Sequence, residues 1–283
     1  MIKEWLSEYK PKTNAEAEQA LREIMQEVAL FGLQRSGFFE MAAFYGGTAL
    51  HIFHQLPRFS EDLDFSLLKP TPGFSFQPYL DGVVEQFQAM GMQVEVKEKS
   101  KAQKTAIDSA FLKAGTEWKE LMLKEIIPQE KTGMLPDIKI KIETDTDPPP
   151  GFSTEQKLLL KPASFYVNCF SLPDLFAGKM HALLFRKWKN RVKGRDWFDL
   201  EWYIRKNIPL HLKHLELRAS NSGDWNEKEM TQADFMKLLT DKITAASFKN
   251  IREDVIRFIP DAGALDIWSE KYFHDLVQKL KLL

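Results

Sequence analysis

The sequence predicts an α/β or α+β fold, with a mixed sheet flanked by helices in residues 1–150 and a mainly helical lobe in residues 151–283. In the first part, segments with apolar residues at helical spacing alternate with short segments of period-two spacing. A proline-rich break at 147–151 follows, and helical patterns dominate after it. We therefore expect two domains, a core that holds the sheet and a helical lobe.

The composition limits the classes of protein that the chain can represent. Of its 283 residues 44% are hydrophobic, which is enough for a core. The formal net charge of −1 argues against a uniformly basic coat for nucleic acid but permits a local patch. Cys169 is the single cysteine, so no intrachain disulfide is possible. Residues 1–6 lack the apolar segment of a signal peptide and no apolar run reaches the length of a membrane span, so we expect a cytoplasmic protein without membrane contact.

The individual elements follow from the apolar periodicity. Residues 14–36 predict a helix that packs on the sheet, because Leu21 and Ile24 belong to a helical apolar pattern, with Asn14 as the expected N-cap. The stretch 101–135 fits a strand at 110–112 and either a strand or a helix from 118 to 127. The other predictions are a strand ending at 45, a helix stopped by Pro57, a strand with Asp62 and Asp64, a helix at 77–90, strands at 92–96, 137–143 and 165–170, and helices from 173 and at 231–247, 249–259 and 266–281.

Two aspartates lie side by side on one predicted strand. Because residues i and i+2 of a strand point to the same face, Asp62 and Asp64 project together while Leu63 and Phe65 point into the core. Adjacent carboxylates repel unless a cation lies between them, and carboxylate oxygens suit Mg²⁺ or Mn²⁺. The alternative is that the two aspartates are the solvated face of an ordinary strand.

A glycine pair precedes these aspartates by one short helix. Gly46 and Gly47 end the preceding strand, and Thr48 follows at the start of the helix. Glycines allow a phosphate to approach the backbone closely, and the N–H groups of a helix N-terminus attract anions. The alternative is that the two glycines only form a turn. The glycines and aspartates together favour a site for a metal ion and a phosphate group.

These motifs resemble those of a known family. Gly-Gly-Thr-x-Leu at 46–50 and Arg-x-Ser-x-Asp-x-Asp-Phe at 58–65 are similar to the nucleotidyltransferase toxins of the AbiEii/AbiGii type, which include the MenT toxins. This family belongs to the polymerase-beta-like nucleotidyltransferase superfamily. The resemblance returns at 139–143 and 172–200 and is weak before residue 40 and after about residue 205. It implies a nucleotidyltransferase core with Asp62 and Asp64 as metal ligands.

The resemblance also implies a third carboxylate on a neighbouring strand. In the strand 137–143, isoleucines alternate with Lys139, Lys141 and Glu143. The Lys-Ile-Glu sequence looks like the family's equivalent, so Glu143 is the expected third metal ligand. Asp145 has the same parity and is the alternative. A further alternative is that these charged residues are only the solvated side of the strand.

The helix from residue 173 leads into a basic segment. Seven basic residues and no acidic residue occur from 179 to 195, namely Lys179, Arg186, Lys187, Lys189, Arg191, Lys193 and Arg195. This segment could be a solvated helix end, where cations are favourable. Because the whole chain is nearly neutral, the local concentration favours a polyphosphate or RNA backbone as counter-charge.

The same region carries the family's second motif. Asp-Leu-x-Ala-Gly-Lys-x-His-Ala-Leu-Leu-x-Arg at 174–186 and Arg-Asp-x-x-Asp-Leu at 195–200 resemble it closely. The resemblance implies that Lys179 contacts the nucleotide phosphates and that activity needs Asp196, either to orient Lys179 or to accept a proton. Alternatively, Asp196 is an N-cap and Asp199 a first-turn residue that interacts with the helix dipole. Residues 187–194 form an insertion relative to shorter members of the family.

These observations lead to one functional prediction. The chain is expected to transfer a nucleoside monophosphate from an NTP to an RNA such as a tRNA 3′ end, as a toxin with a cognate antitoxin. The expected catalytic residues are Asp62, Asp64, Lys179 and Asp196, the metal ligands Asp62, Asp64 and Glu143, and the nucleotide contacts Gly46, Gly47, Thr48, Ser60, Lys179 and Arg186. The alternatives are a phosphotransferase on the same scaffold and a non-catalytic nucleotide- or RNA-binding module.

Overall fold

The computed structural model describes residues 2–98, 116–124, 138–186, 193–227 and 229–283. The chain divides into two compact units. Unit 1 comprises Met1–Ala49, Glu61–Pro148 and Glu155–Cys169, and unit 2 comprises Leu50–Ser60, Pro149–Thr154 and Phe170–Leu283. The sequence predicts one boundary at 150/151, whereas here the chain returns to unit 1 after residue 154 and residues 50–60 belong to unit 2.

Unit 1 contains the sheet and the N-terminal helices. Its elements are α1 (Ile2–Tyr9), α2 (Asn14–Arg35), β1 (Ala42–Tyr45), β2 (Asp62–Leu67), α4 (Gln77–Ala89), β3 (Gln93–Glu98), β4 (Thr116–Lys124), β5 (Ile138–Asp145), β6 (Thr154–Leu159) and β7 (Phe165–Phe170). Helix α3 (Gly46–His54) begins in unit 1 and continues into unit 2. The remaining α-helices are α5 (Leu172–Phe185), α6 (Gly194–Arg205), α7 (Leu212–Asn221), α8 (Gln232–Thr244), α9 (Phe248–Val255) and α10 (Glu270–Val277), all in unit 2.

The described strands form one seven-stranded mixed sheet in the order β3-β4-β5-β2-β1-β7-β6. Strand β2 is antiparallel to β1 and parallel to β5, and β1 is parallel to β7. Strand β4 is antiparallel to both β3 and β5. The predicted class, a mixed sheet flanked by helices, is therefore confirmed.

One face of the central strands is buried in the core. Leu63 and Phe65 of β2 are fully buried, as are Ile138 and Ile140 of β5. Helix α2 packs on β5, where Arg22 Nη1 donates a hydrogen bond to the Lys139 carbonyl at 2.8 Å. The prediction that this helix packs on the sheet is confirmed. Because strand side chains alternate, the other face of β2 carries Asp62 and Asp64.

Most predicted elements are present with small shifts at their ends. The N-cap of α2 is Thr13 and not Asn14, because the Thr13 hydroxyl accepts from Glu16 N–H at 3.2 Å. Residues 116–124 form a strand. The strand predicted at 110–112 and the basic residues at 187, 189 and 191 lie outside the described residues. Sequence periodicity missed α1, β6 and α7. None of the helices in the described part of the chain has the length and apolarity that a bilayer crossing requires.

The core of unit 2 is rich in aromatic side chains. The ring of Phe176 in α5 stacks on that of Tyr203 in α6, with 4.1 Å between centroids. Trp197 of α6 makes edge contacts with Phe248 and Phe273 at centroid distances of 5.4 and 5.1 Å. These contacts join α5 and α6 to the helices that follow them, so that Lys179 of α5 and Asp199 of α6 lie on packed helices.

Candidate active site

Four charged side chains share the solvent-facing side of β2 and β5. Asp62 and Asp64 are half-buried on β2, between residues that face the core. In the parallel register, Asp62 is paired with Lys141 and Asp64 with Glu143. Because paired residues of neighbouring strands point to the same face, the three carboxylates and the ammonium group form one cluster. We refer to Asp62, Asp64, Lys141 and Glu143 as the carboxylate face.

The register distinguishes the two candidates for the third carboxylate. Glu143 is directly opposite Asp64, whereas Asp145 is opposite Ser66, one same-face position farther from the aspartate pair. Glu143 also forms an ion pair with Lys141. Because Glu143 lies beside Asp64, it is better placed than Asp145 to be the third carboxylate next to the aspartate pair.

Gly46 lies against one of the aspartates. Its φ of +86° is in the left-handed region, and a Cβ there would lie 2.2 Å from Asp64 Oδ2. A side chain is therefore excluded both by backbone conformation and by the position of the carboxylate. Gly47 follows in the first turn of α3, where backbone N–H groups have no intrahelical acceptor.

Two other predicted nucleotide contacts lie close to β2 in the chain. Thr48 is fully buried, and its hydroxyl donates a 2.5 Å hydrogen bond to the Asp62 carbonyl. This bond ties the start of α3 to the start of β2, so the hydroxyl has a structural partner inside the protein. Ser60 is half-buried and precedes β2 by two residues.

The three acidic residues of the carboxylate face suit a hard divalent cation, because their ligand atoms are carboxylate oxygens. Within the described ranges, however, no group of three or more His, Cys, Asp or Glu side chains is arranged to hold a metal ion. Glu143 is instead paired with Lys141. Asp62 and Asp64 therefore fit a metal ion by chemistry and shared face, and Glu143 could join them only after leaving Lys141.

Unit 2 contains a buried ion network formed by Arg58, Lys179 and Asp199. Asp199 is fully buried and accepts two hydrogen bonds from Arg58, at 2.6 Å from Nε and 2.7 Å from Nη2. Lys179 Nζ lies 2.9 Å from Asp199 Oδ2. Burial alone would raise the pKa of Asp199, but Arg58 and Lys179 outweigh it and lower that pKa to about 2. The network therefore holds the Lys179 ammonium group in place.

Arg58 and Asp199 were not among the predicted site residues, although both belong to the two family motifs. The sequence contained one clue: Arg58 in the first motif and Asp199 in the second carry opposite charges and could form an ion pair. The two residues are 141 positions apart, and pairing across such a separation cannot be read from local periodicity. Asp199 contacts Lys179 directly, which favours Asp199 over Asp196 for the role of orienting Lys179.

Asp196 lies in the first turn of α6 and is not its N-cap. The cap position is Lys193, and Gly194 N–H donates to Asp254 Oδ2 at 2.8 Å. The predicted alternatives for Asp196 as an N-cap and for Asp199 as a first-turn residue are therefore wrong. A Cβ on Gly194 would lie 2.2 Å from the Ile251 carbonyl oxygen, so close helix packing fixes the start of α6.

Asp196 and Arg186 both line a cavity of about 340 Å³ within unit 2. Lys193 and Lys242 also line it, together with apolar side chains such as Trp197. The structure thus brings together two of the predicted site residues, and it adds Lys193 of the predicted basic segment and Lys242, which belongs to no motif. Lys179 is on the preceding helix, in the ion network.

The sequence profile of the family described as "Nucleotidyl transferase AbiEii toxin, Type IV TA system" matches residues 28–279. The chain belongs to this family. It is therefore a nucleotidyltransferase toxin of a type IV toxin–antitoxin system, and the family implies a nucleotide substrate and an antitoxin partner. The predicted family and the predicted enzyme class are confirmed.

Two solved structures have a similar fold. The AbiEii-family chain is similar to MenT4, a nucleotidyltransferase toxin from Mycobacterium tuberculosis H37Rv, with 15% identity, a TM-score of 0.60, and coverage of 98% of this chain and 88% of that one. It is also similar to JHP933 from Helicobacter pylori, with 18% identity, a TM-score of 0.51, and coverage of 92% and 89%. At these identities the likeness shows the fold. A search of curated protein sequences finds no match.

Proposed function

We propose that this nucleotidyltransferase transfers a nucleoside monophosphate from an NTP to a hydroxyl group of RNA, with Mg²⁺ or Mn²⁺ as cofactor and pyrophosphate as the leaving group. The tRNA 3′ end is the proposed acceptor, and the cytoplasm, where both substrates occur, is the proposed location. The observation that carries the proposal is the carboxylate face, where Asp64 and Glu143 are opposite each other on adjacent parallel strands and Asp62 is on the same side.

In this proposal the carboxylate face supplies the ligands for the metal. Asp62 and Asp64 would hold it, with Glu143 as third ligand once it leaves Lys141. A bound divalent cation would neutralise phosphate charge and polarise the attacking hydroxyl. Gly46 and Gly47 are the proposed backbone contacts of the phosphates, for which the N–H groups at the start of α3 are donors. Thr48 supports this turn through its bond to the Asp62 carbonyl. We keep Ser60 as a proposed nucleotide contact.

The residues of unit 2 have complementary roles in the proposal. Lys179 binds the nucleotide phosphates, with Asp199 and Arg58 as positioning residues that hold its ammonium group. Arg186 adds a second cation, and a guanidinium group suits phosphate because of its planar array of donors. Asp196 accepts the proton of the acceptor hydroxyl, the role left to it because Asp199 is the residue that contacts Lys179.

The experiment that tests this proposal compares two labels. The full-length protein is incubated with Mg²⁺, total RNA and each NTP, labelled either on the α-phosphate or on the γ-phosphate. Transfer of the α-label to RNA, with release of pyrophosphate, is the expected result. Transfer of the γ-label would instead indicate a phosphotransferase, and nucleotide binding without either product would indicate a non-catalytic binding module. Sequencing of the labelled RNA identifies the acceptor and tests the tRNA 3′ end.

A further inference from the structure

The cavity in unit 2 has a more cationic lining than the proposed mechanism uses. Three basic side chains from separate segments line it: Arg186 follows α5, Lys193 precedes α6 and Lys242 is on α8. Asp196 is the only carboxylate among the described residues that line this cavity. The cationic groups therefore outnumber the anionic group, and they converge on a space that a ligand could fill.

The charges in the cavity are partly removed from water. Burial lowers the pKa of Lys193 and Asp196 opposes this shift; with the smaller effects of Arg186, Lys179 and Arg195, which also lower it, the pKa is about 8. Burial also lowers the pKa of Lys242. Both shifts reflect a site where positive charge is poorly solvated. An anion bound there would stabilise the charged form of each lysine.

Helix α9 adds to the positive potential at the same place. Ser247 is its N-cap residue and lines the cavity, and its side chain makes no cap hydrogen bond. The first N–H groups of a helix carry partial positive charge and attract anions. By contrast, the first N–H group of α6, at Gly194, is already bound by Asp254.

The size and the mixed lining indicate what kind of anion fits. The volume of about 340 Å³ is at the lower end of small-molecule pockets, which span about 300–1,000 Å³. Trp197, Leu183 and Ile251 supply apolar surface beside the charges. A ligand with a phosphate, a hydroxyl group and an apolar ring face would match all three parts of the lining, and a nucleotide unit has these groups.

We propose that this cavity is a subsite for one nucleotide unit, with Arg186, Lys193 and Lys242 bound to its phosphate and Asp196 to one of its hydroxyl groups. The choice of a nucleotide rests on the proposed function. Two sources supply this chemistry, the NTP and the terminal nucleotide of the RNA acceptor. Lys242 is the most informative residue, because it is outside every motif of the sequence and has no part in the proposed mechanism.

Lys242 also has a structural contact that the test must separate from binding. Its Nζ donates to the Leu184 carbonyl at 3.3 Å, in the last turn of α5. Lys242→Gln removes the charge and keeps a hydrogen-bond donor for that carbonyl, and Lys242→Arg keeps the charge. Lys237→Gln is the matched control, because Lys237 is on the same helix, is exposed and does not line the cavity.

The experiment measures binding without turnover, in the full-length Asp64→Asn background and in buffer that contains EDTA. Calorimetry gives the Kd of an NTP and of a short single-stranded RNA with a free 3′ hydroxyl. We expect Lys242→Gln to weaken at least one ligand about tenfold, the typical loss for a charged hydrogen bond to phosphate, with Lys237→Gln unchanged and Lys242→Arg close to the parent. If RNA is the ligand, the slope of log affinity against log salt concentration also decreases by about one, as expected for the loss of one phosphate contact.

The outcomes distinguish the NTP from the RNA acceptor as the ligand, and they distinguish failure of the subsite from failure of the proposed function. Weaker NTP binding assigns the subsite to the substrate nucleotide, weaker RNA binding assigns it to the acceptor, and weakening of both means that each can occupy it. Unchanged affinity for both ligands in a folded Lys242→Gln protein would overturn the subsite. If that variant does not fold, Lys193→Gln gives the same readout. Failure of the proposed function would appear instead as absence of label transfer by the unmodified protein, whatever these affinities are.

Discussion

Unit 1 and unit 2 handle charge in opposite ways. The carboxylate face is half-buried and carries three acids with one lysine. The ion network of unit 2 surrounds one fully buried aspartate with Arg58 and Lys179. Half-buried carboxylates on one strand face can bind a cation from solvent, whereas a fully buried aspartate bound by two cations positions those partners. Changes in unit 1 should therefore affect activity first, and changes at the network should affect stability first.

The largest expected effect is on the carboxylate face. Asp64→Asn should reduce nucleotide transfer about a thousandfold or more, because several kcal/mol of metal-derived transition-state stabilisation would be lost. The melting temperature should change little, because Asp64 is half-buried and asparagine has nearly the same size. Pyrophosphate release and thermal melting measure the two effects. Glu61→Gln is the control, an exposed acid just before β2. Full nucleotide transfer by Asp64→Asn would show that the site is elsewhere.

The ion network should respond in the opposite way. Arg58→Met should lower the free energy of unfolding by about 3–5 kcal/mol, because Asp199 would lose its bidentate partner while buried. Denaturant titration measures this change. Arg205→Met provides the comparison, because the Arg205 side chain is 72% exposed in its pair with Glu201 and should change stability by no more than about 1 kcal/mol. A similar small loss for both variants would contradict the distinction between the two units.

A substitution at Gly46 tests whether activity requires the close approach of the Gly46 backbone to the Asp64 carboxylate. Gly46→Ala should reduce activity about a hundredfold, because the new Cβ would displace Asp64 from its position. Gly73→Ala is a matched control, with a φ of +76° and no atom within 4 Å of the added Cβ. Both variants incur a similar backbone penalty, and Gly46→Ala adds the clash with Asp64, so the melting temperature should fall for both and more for Gly46→Ala, while kcat falls only for Gly46→Ala. Equal activities would mean that Asp64 does not need this contact.

The network also predicts a dependence of stability on pH. Because the pKa of Asp199 is lowered in the folded state from 3.8 to about 2, its contribution is fully present above the unfolded value. It is lost as the pH falls through about 4 toward 2, and it amounts to about 2 kcal/mol. Denaturant titrations between pH 5 and pH 2.5 should show a steeper loss for the parent than for Asp199→Asn. Parallel curves would contradict the assigned charge state.

The smallest expected effect distinguishes the third carboxylate. Glu143→Gln should reduce activity about tenfold and raise the Mg²⁺ concentration at half-maximal rate, because one metal ligand would be lost. Asp145→Asn, one same-face position away on β5, should change neither quantity by more than about twofold. Initial rates over a series of Mg²⁺ concentrations provide the comparison. The reverse order of effects would assign the third ligand to Asp145.

The prediction of individual residues worked best where the signal was local. Asp62 and Asp64 share a face because strand side chains alternate, and this follows from the sequence spacing alone. The resemblance to the AbiEii family pointed to Glu143, and the register placed it opposite Asp64. Lys242 could not be found in the same way, because it belongs to no motif and the cavity that it shares with Lys193 depends on how α5, α6 and α8 pack.

The sequence by itself determined the mixed fold class, most of the helices and strands, the alternation of the carboxylate face and the family. These features depend on periodicity and on residues close together in the chain. Only the tertiary structure decided the register of β2 against β5, the pairing of Arg58 with Asp199, the contact of Asp199 with Lys179, and the cationic cavity. The physical reason is that strand register and buried ion pairs depend on groups far apart in sequence, which meet only when the backbone between them has folded.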